Sequence, residues 1–177
     1  MSVARRLVVL LLVCVFALTG RPEDASRVEY NVKAAFLLNF TRFIEWPPEA
    51  FSSDTAPFNV CILGENPFGA ALEQIVRGET VKGHPLAVQV LPRPPEPKAC
   101  QMLFVNASAK ETARMLAEIR PGVLTVGEGP GFLHEGGMIA FVVEDRRVRF
   151  DINQRAAANG SLVLSSKLLS VARLVER

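Results

Sequence analysis

Predicted strands and helices alternate along this chain, and the first pair begins at Phe58-Asn59-Val60-Cys61-Ile62-Leu63, an almost unbroken apolar run. The turn residues Gly64 to Gly69 follow it directly. A short apolar run of this kind is typical of a strand that is buried on both faces. Because proline is favoured in the first helical turn, Pro67 predicts a helix that follows the strand at once and reaches about Val76. A buried strand joined directly to a helix is the unit of a parallel sheet.

The same alternation continues along the chain. Further strands are predicted at Leu86–Leu91, Gln101–Val105 and Val123–Val126. The predicted helices are Ala109–Arg120, capped by Ser108, then a short helix at Gln154–Ala158 and a final helix at Ser166–Val175.

Two segments, Met138–Val143 and Val148–Ile152, flank Asp145-Arg146-Arg147 and predict an antiparallel hairpin. Strand and helix units followed by a hairpin indicate an α/β fold. We expect a single-domain α/β/α sandwich, with a mostly parallel sheet of about five strands and the antiparallel hairpin at its edge.

A helix is also predicted before the first strand. Ser26-Arg27-Val28-Glu29 has the pattern of a capping box, and Pro47-Pro48 must end the helix. Its apolar residues cover a wide arc and recur at helical spacing, at Val32, Phe36, Phe40 and Phe43. Its polar strip is expected to consist of Lys33, Asn39 and Arg42.

Residues 1–20 have the pattern of a cleaved secretory leader. Arg5 and Arg6 precede the apolar run Leu7–Leu18, which is shorter than the roughly 20 residues of a membrane span. We expect cleavage at about residues 20–25 and a mature domain over residues 26–177; the alternative is an uncleaved anchor. The two leader arginines account for the net charge of +2, so the mature chain is neutral and lacks the basic footprint of a nucleic-acid-binding protein.

Two cysteines, Cys61 and Cys100, remain once the leader with Cys14 is removed. A lone pair in an exported protein indicates a disulfide, although two unrelated buried thiols are the alternative. Such a bond would close a loop of about 39 residues and stabilise the fold by up to about 4 kcal/mol.

The sequence offers no catalytic residue, metal ligand or cofactor site. His84 and His134 lack cysteine or acidic neighbours at ligand spacing, and both are predicted to be solvated. Ser165-Ser166-Lys167 lacks the Ser-x-x-Lys spacing of a serine nucleophile, which favours a helix cap followed by a solvated lysine.

A small-ligand crevice is predicted at the turn after the first strand, where helix amides can hold an anion. Its candidate residues are Gly64, Asn66, Phe68 and Gly69. Ala70 and Ala71 stand where a phosphate-binding loop has Lys and Ser/Thr, so a plain strand-to-helix turn is the alternative.

A partner-binding surface is predicted at the hairpin, because Arg146, Arg147 and Arg149 cluster in a neutral chain. Arginine is enriched at interface hot spots, and edge strands can pair with a partner strand. A solvated hairpin tip is the alternative. The glycine loop from Gly127 to Gly137 either presents Phe132 to a partner or is only a crossover. Trp46 is likewise either a core plug or a partner anchor.

Five motifs, in order, resemble the YfiR family across essentially all of the mature chain. The longest runs from Tyr30-Asn31-Val32-Lys33-Ala34-Ala35-Phe36 to Glu45-Trp46-Pro47. The others are Cys61–Gly64 with Asn66–Gly69, Gly137–Phe141, Arg149–Asn153 and Leu164–Leu169.

This resemblance implies a non-enzymatic regulator in the periplasm, usually a homodimer. It implies binding to the periplasmic region of an inner-membrane diguanylate cyclase, which is thereby repressed, and release through an OmpA-like outer-membrane lipoprotein. It also agrees with pairing of Cys61 and Cys100. The chain lacks a second cysteine pair near residues 138–150, so redox control through such a pair is not expected. The other function that the sequence permits is a periplasmic small-ligand-binding module that feeds a membrane sensor.

Overall fold

A computed structural model describes residues 22–177, so the predicted leader and Cys14 lie outside the described residues. The strands are β1 (Ile44–Glu45), β2 (Phe58–Gly64), β3 (Thr80–Val81), β4 (His84–Leu91), β5 (Met102–Asn106), β6 (Leu124–Glu128), β7 (Ile139–Glu144), β8 (Arg147–Asn153), β9 (Val163–Leu164) and β10 (Leu174–Glu176). The helices are α1 (Pro22–Phe43), α2 (Ala71–Val76), α3 (Ala109–Glu118), α4 (Gly131–His134), α5 (Gln154–Asn159) and α6 (Ser166–Val171), and Pro48–Ala50 forms a 3₁₀ turn.

The main sheet has eight strands in the order β10-β8-β7-β6-β5-β2-β4-β3, and β1 pairs separately with β9. The five central strands of this order, β7-β6-β5-β2-β4, are parallel to their neighbours. Val60 of β2 is in register with Val88 of β4 on one side and Met102 of β5 on the other. β3 and β8 each run antiparallel to their sequence neighbour. The predicted α/β class and mostly parallel sheet are confirmed.

Helices cover both faces of this sheet. One core cluster holds Leu37, Leu72 and Leu168, which come from α1, α2 and α6. The other holds Leu103 of β5 with Phe132 of α4 and partly buried side chains of α3. Because β2 contributes Val60 and Ile62 to the first cluster and Cys61 and Leu63 to the second, its continuous apolar run follows from burial on both faces.

The sheet is larger than the five strands predicted, and the hairpin of β7 and β8 is not its edge. β10 pairs in parallel with β8 from Leu174 opposite Asp151, and so forms the edge itself. The predicted final helix accordingly stops at Val171 instead of Val175. Strands of two or three residues, such as β3 and β10, leave no periodic pattern and are defined by the strand beside them.

The start and the polar strip of α1 also differ from the prediction. The helix is already formed at Pro22, so Ser26 lies inside it and is not a cap. Lys33 is 2% exposed: its Nζ donates to Glu128 Oε1 of β6 at 2.8 Å and also contacts Glu29. A lysine among apolar neighbours is buried here because two carboxylates neutralise it.

The predicted disulfide between Cys61 and Cys100 is confirmed, with a Cα–Cα distance of 6.0 Å. Both residues are buried, at 0% and 1% exposure. The bond ties the middle of β2 to the segment that enters β5, two strands that already pair.

We expect the mature protein, denatured without reductant, to contain no titratable thiol, and two thiols after reduction. Replacing both Cys61 and Cys100 by alanine should lower the free energy of unfolding by about 2–4 kcal/mol, because the unfolded chain loses its loop constraint. Thiol titration and urea denaturation measure the two effects. Two free thiols before reduction would contradict the assignment.

Candidate partner-binding surface

The tip of the β7–β8 hairpin is a two-residue turn at Asp145 and Arg146. Both have positive φ, at 49° and 59°, as a tight hairpin turn requires. The turn closes where Glu144 pairs with Arg147. Arg146, Arg147 and Arg149 are all exposed, and none has an ion pair with another residue in the range 22–177. The three predicted arginines therefore share one exposed surface.

The residues of β8 point alternately to the two faces of the sheet. Val148 and Phe150 face the α1 side, where Phe150 joins the core and Val148 packs against it. Arg147 and Arg149 occupy the alternate positions and so face the other side. Apolar and cationic side chains are thus sorted onto opposite faces of one strand.

The outer side of β8 is covered along only part of its length. β10 pairs with Asp151, Ile152 and Asn153, and the Arg173 N–H donates to the Phe150 carbonyl at 2.9 Å. Within residues 22–177, no strand pairs with that side of β8 before this point. Because Arg147 and Arg149 bond to β7, the N–H and C=O of Val148 point away from the sheet.

Arg173 holds the start of β10 against β8. Its Nε donates to Asp151 Oδ1 at 2.8 Å, its Nη2 contacts the other carboxylate oxygen, and its Nη1 lies 3.5 Å from Glu144 Oε1. Hydrogen bonding to Asp151 raises the pKa of Arg173, and the buried carboxylate of Asp151 keeps a charged partner. This bidentate contact between Arg173 and Asp151 anchors the chain that leads into β10.

An apolar groove lies beside the uncovered part of β8. Two adjoining cavities of about 370 and 230 Å³ share Phe36 of α1, Phe150 of β8 and Val171 of α6. We call this the Phe36 groove. Val148 of the β8 edge, between Arg147 and Arg149, lies at one end, and Lys167 lines the other. Val171 is 60% exposed, so part of the groove wall faces solvent.

Two other candidates for partner binding lie elsewhere. Phe132 is 4% exposed, and a Cβ at Gly127 or Gly137 would overlap its ring. The loop glycines make room for this ring, so the hypothesis that Phe132 is presented to a partner is wrong. Trp46 is half-buried, packs edge-on against Phe58, and donates its indole N–H to the Gln101 carbonyl at 2.8 Å. These contacts favour the core-plug interpretation.

The predicted small-ligand residues form a tightly bonded turn. Gly64 has φ +98°, and a Cβ there would overlap the Asn106 carbonyl. Asn66 accepts a hydrogen bond from the Phe68 N–H and donates one to the Gly69 carbonyl. Phe68 is buried at 4% exposure. This geometry favours the strand-to-helix turn, although Phe68 and Gly69 also border an open groove of about 910 Å³ beside α1.

That open groove is bordered by Tyr30, whose ring meets Phe68 edge-on. Burial and then the nearby charge of Glu128 raise the pKa of Tyr30 to about 12, so the phenol is neutral at physiological pH. No group of three or more His, Cys, Asp or Glu within the described residues could hold a metal ion. Tyr30 lines this groove as a neutral aromatic side chain.

The remaining polar candidates have structural roles. The prediction that His84 is solvated is wrong. Its ring stacks on Phe51 with ring centroids 3.9 Å apart, and its Nδ1 lies 2.6 Å from the Ala56 carbonyl oxygen. Ser165 caps α6 as predicted, since its hydroxyl accepts from the Leu168 N–H at 3.1 Å. Sequence reasoning missed Val171 and Arg173, and it placed Phe36 only in the core-facing arc of α1.

The family comparison covers most of the described chain. The family model described as YfiR/HmsC-like matches residues 30–173. This chain belongs to the YfiR/HmsC-like family. At family level, membership supports a periplasmic regulator of cyclic di-GMP signalling, and the family is regulatory and not catalytic. No helix of this family member within residues 22–177 is long and apolar enough to cross a membrane.

Other comparisons add little for this YfiR/HmsC-like chain. No curated protein matches it. One similar solved structure is an ABC domain from Streptococcus pneumonia in complex with L-Trp, at 10% identity and a TM-score of 0.40. The match covers 72% of this chain and 57% of that one, and it is too distant to bear on fold or ligand.

Replacing Arg173 by alanine should lower the melting temperature, because the buried carboxylate of Asp151 loses its cation and β10 loses its anchor. The matched control is Arg146→Ala, which removes an arginine that has no ion pair in the described part of the chain and should leave the melting temperature nearly unchanged. Thermal unfolding followed by circular dichroism compares the two. Equal melting temperatures would mean that the Arg173 contact does not hold β10 in place.

Proposed function

We propose that this protein binds the periplasmic region of an inner-membrane diguanylate cyclase and represses it. The observation that carries the proposal is the YfiR/HmsC-like match over residues 30–173, which includes the hairpin surface (Arg146, Arg147 and Arg149) and every residue that lines the Phe36 groove. The leader predicted at residues 1–20 would place the mature domain in the periplasm, where it can reach such a receptor.

The hairpin surface supports this proposal because it has the chemistry of a partner interface. It joins exposed arginines, which form no ion pair within residues 22–177, to an apolar groove whose wall includes Phe36 and the 60% exposed Val171. Arginine and aromatic side chains are enriched where protein interfaces derive most of their affinity. Because the family is regulatory and not catalytic, we expect the protein to act through such a contact, which represses a receptor by favouring its inactive conformation.

We extend the proposal to two further partners. An OmpA-like outer-membrane lipoprotein would release the cyclase by competing for the repressor. A second copy of this chain would use the outer face of α1, where Val28 and Val32 are 61% and 40% exposed one helical turn apart. Sedimentation at micromolar concentration tests the dimer, and a monomer there would contradict it.

Reversing Arg146 and Arg147 to glutamate should relieve repression, because the two charges that face the partner change sign. In a cell that reports cyclic di-GMP, the signal should rise toward that of a strain lacking the protein. The matched control is Arg120→Glu with Arg155→Glu, which makes the same charge change at exposed positions away from the hairpin. If the hairpin variant is folded and exported yet represses fully, the hairpin is not the interface.

A further inference from the structure

We propose that the partner contributes an extended segment in which apolar and acidic residues alternate, and that this segment pairs with the uncovered part of β8. Its apolar side chains enter the Phe36 groove and its acidic side chains meet Arg147 and Arg149. The inference rests on the proposed function, since it specifies how the cyclase would be bound.

The first support is the free backbone of β8. Val148 directs its N–H and C=O away from β7, while β10 begins its pairing only at Asp151. An exposed strand edge of this kind binds extended peptides by adding a strand, with the backbone hydrogen bonds providing affinity. The uncovered length is short, so the side chains must supply the remaining affinity and the specificity.

The second support is the alternation of side chains along β8. In an added strand, successive side chains also point to opposite faces of the sheet. Those on the α1 side reach Phe36 and Val171, which favour apolar residues. Those on the other side lie beside Arg147 and Arg149, which favour carboxylates. The preferred ligand therefore alternates in chemistry with a period of two.

The third support is the charge balance at the hairpin. Two acidic residues lie among the arginines, Glu144 and Asp145. Glu144 has Arg173 as its ion-pair partner, at 3.5 Å, and Asp145 is in the turn with no ion pair among the described residues. Three arginines against these two acids leave the hairpin cationic, and Lys167 adds a further positive charge at the far end of the groove.

The same charges disfavour a second copy of this chain as the occupant. Antiparallel pairing of two β8 edges about Val148 would bring Arg147 and Arg149 of each copy close to those of the other. Like charges placed opposite each other across a strand pair are destabilising. The arginines thus select an acidic strand and oppose self-pairing, which leaves the outer face of α1 for a homodimer.

The test uses the mature protein and a labelled, end-blocked peptide in which valine and glutamate alternate. Fluorescence anisotropy should show binding, whereas a peptide of the same composition with its valines and glutamates in separate blocks should bind about tenfold more weakly. Equal binding of the two would mean that charge alone attracts the peptide and would overturn the proposal. Absence of binding by the alternating peptide would overturn it as well.

Two N-methylated versions of the peptide test the backbone pairing. Methylation of alternate nitrogens removes the donors from one edge of an extended strand and leaves the other edge intact. Only the version methylated on the edge that faces β8 should lose affinity, by about tenfold, because its donor to the Val148 carbonyl is replaced by a methyl group that crowds the strand edge. The Val148 amide should also become protected from hydrogen exchange when the unmodified peptide binds. Equal affinity of both versions, with Val148 unprotected, rules strand addition out.

Protein variants complete the test. Arg147→Glu with Arg149→Glu should abolish peptide binding, and the control Arg120→Glu with Arg155→Glu should retain it. If the hairpin reversal instead turns a dimer into a monomer, the edge is an interface between copies and the proposal fails. Should charge reversal relieve repression in cells while Val148 stays unprotected in the complex with the cyclase region, the proposed function stands and only strand addition is wrong.

Discussion

The packing of α1 against the β7–β8 hairpin is the contact on which the rest of this structure depends. The ring centroid of Phe40 lies 5.1 Å from that of Phe150 and 5.9 Å from that of Phe141. The centroid of Phe36 lies 5.4 and 6.0 Å from the same two centroids. Aromatic pairs of this geometry contribute about 0.5–1.5 kcal/mol each beyond their burial. The cluster joins the first helix to strands about a hundred residues later, and so fixes which face of β8 is apolar.

The partner-binding surface is built from the outer part of this same cluster. Phe40 and Phe141 are fully buried, but Phe36 is only half-buried and its ring forms both core and groove. A partner that covers Phe36 would therefore extend the core outward by one layer. The groove walls, α1 and α6, pack on the sheet beneath them, and a preformed groove of this kind favours binding without large rearrangement.

The sequence predicted those strands and helices whose formation depends on residues close together in the chain. The runs at β2 and β5 are strongly apolar, and β7 and β8 flank a recognisable turn, so these strands were predictable. β10 was not, because a strand of three residues exists only through its pairing with β8. Lys33 was assigned to the polar strip because its partner Glu128 lies 95 residues away in sequence.

The candidate surface shows the same division. Its arginines were predictable because exposed charge clusters stand out in a neutral chain. Arg173 was not, since nothing near it in sequence marks the buried Asp151 as its partner. Phe132 was misjudged because the glycines that enclose its ring also look like a mobile loop.

The central claim is tested most directly by placing a photo-crosslinking amino acid at Val171 in living cells. We expect a crosslinked product that contains a membrane diguanylate cyclase, and none from Ala113 on the exposed side of α3. A cyclase crosslink from Ala113 and none from Val171 would contradict the location of the partner surface.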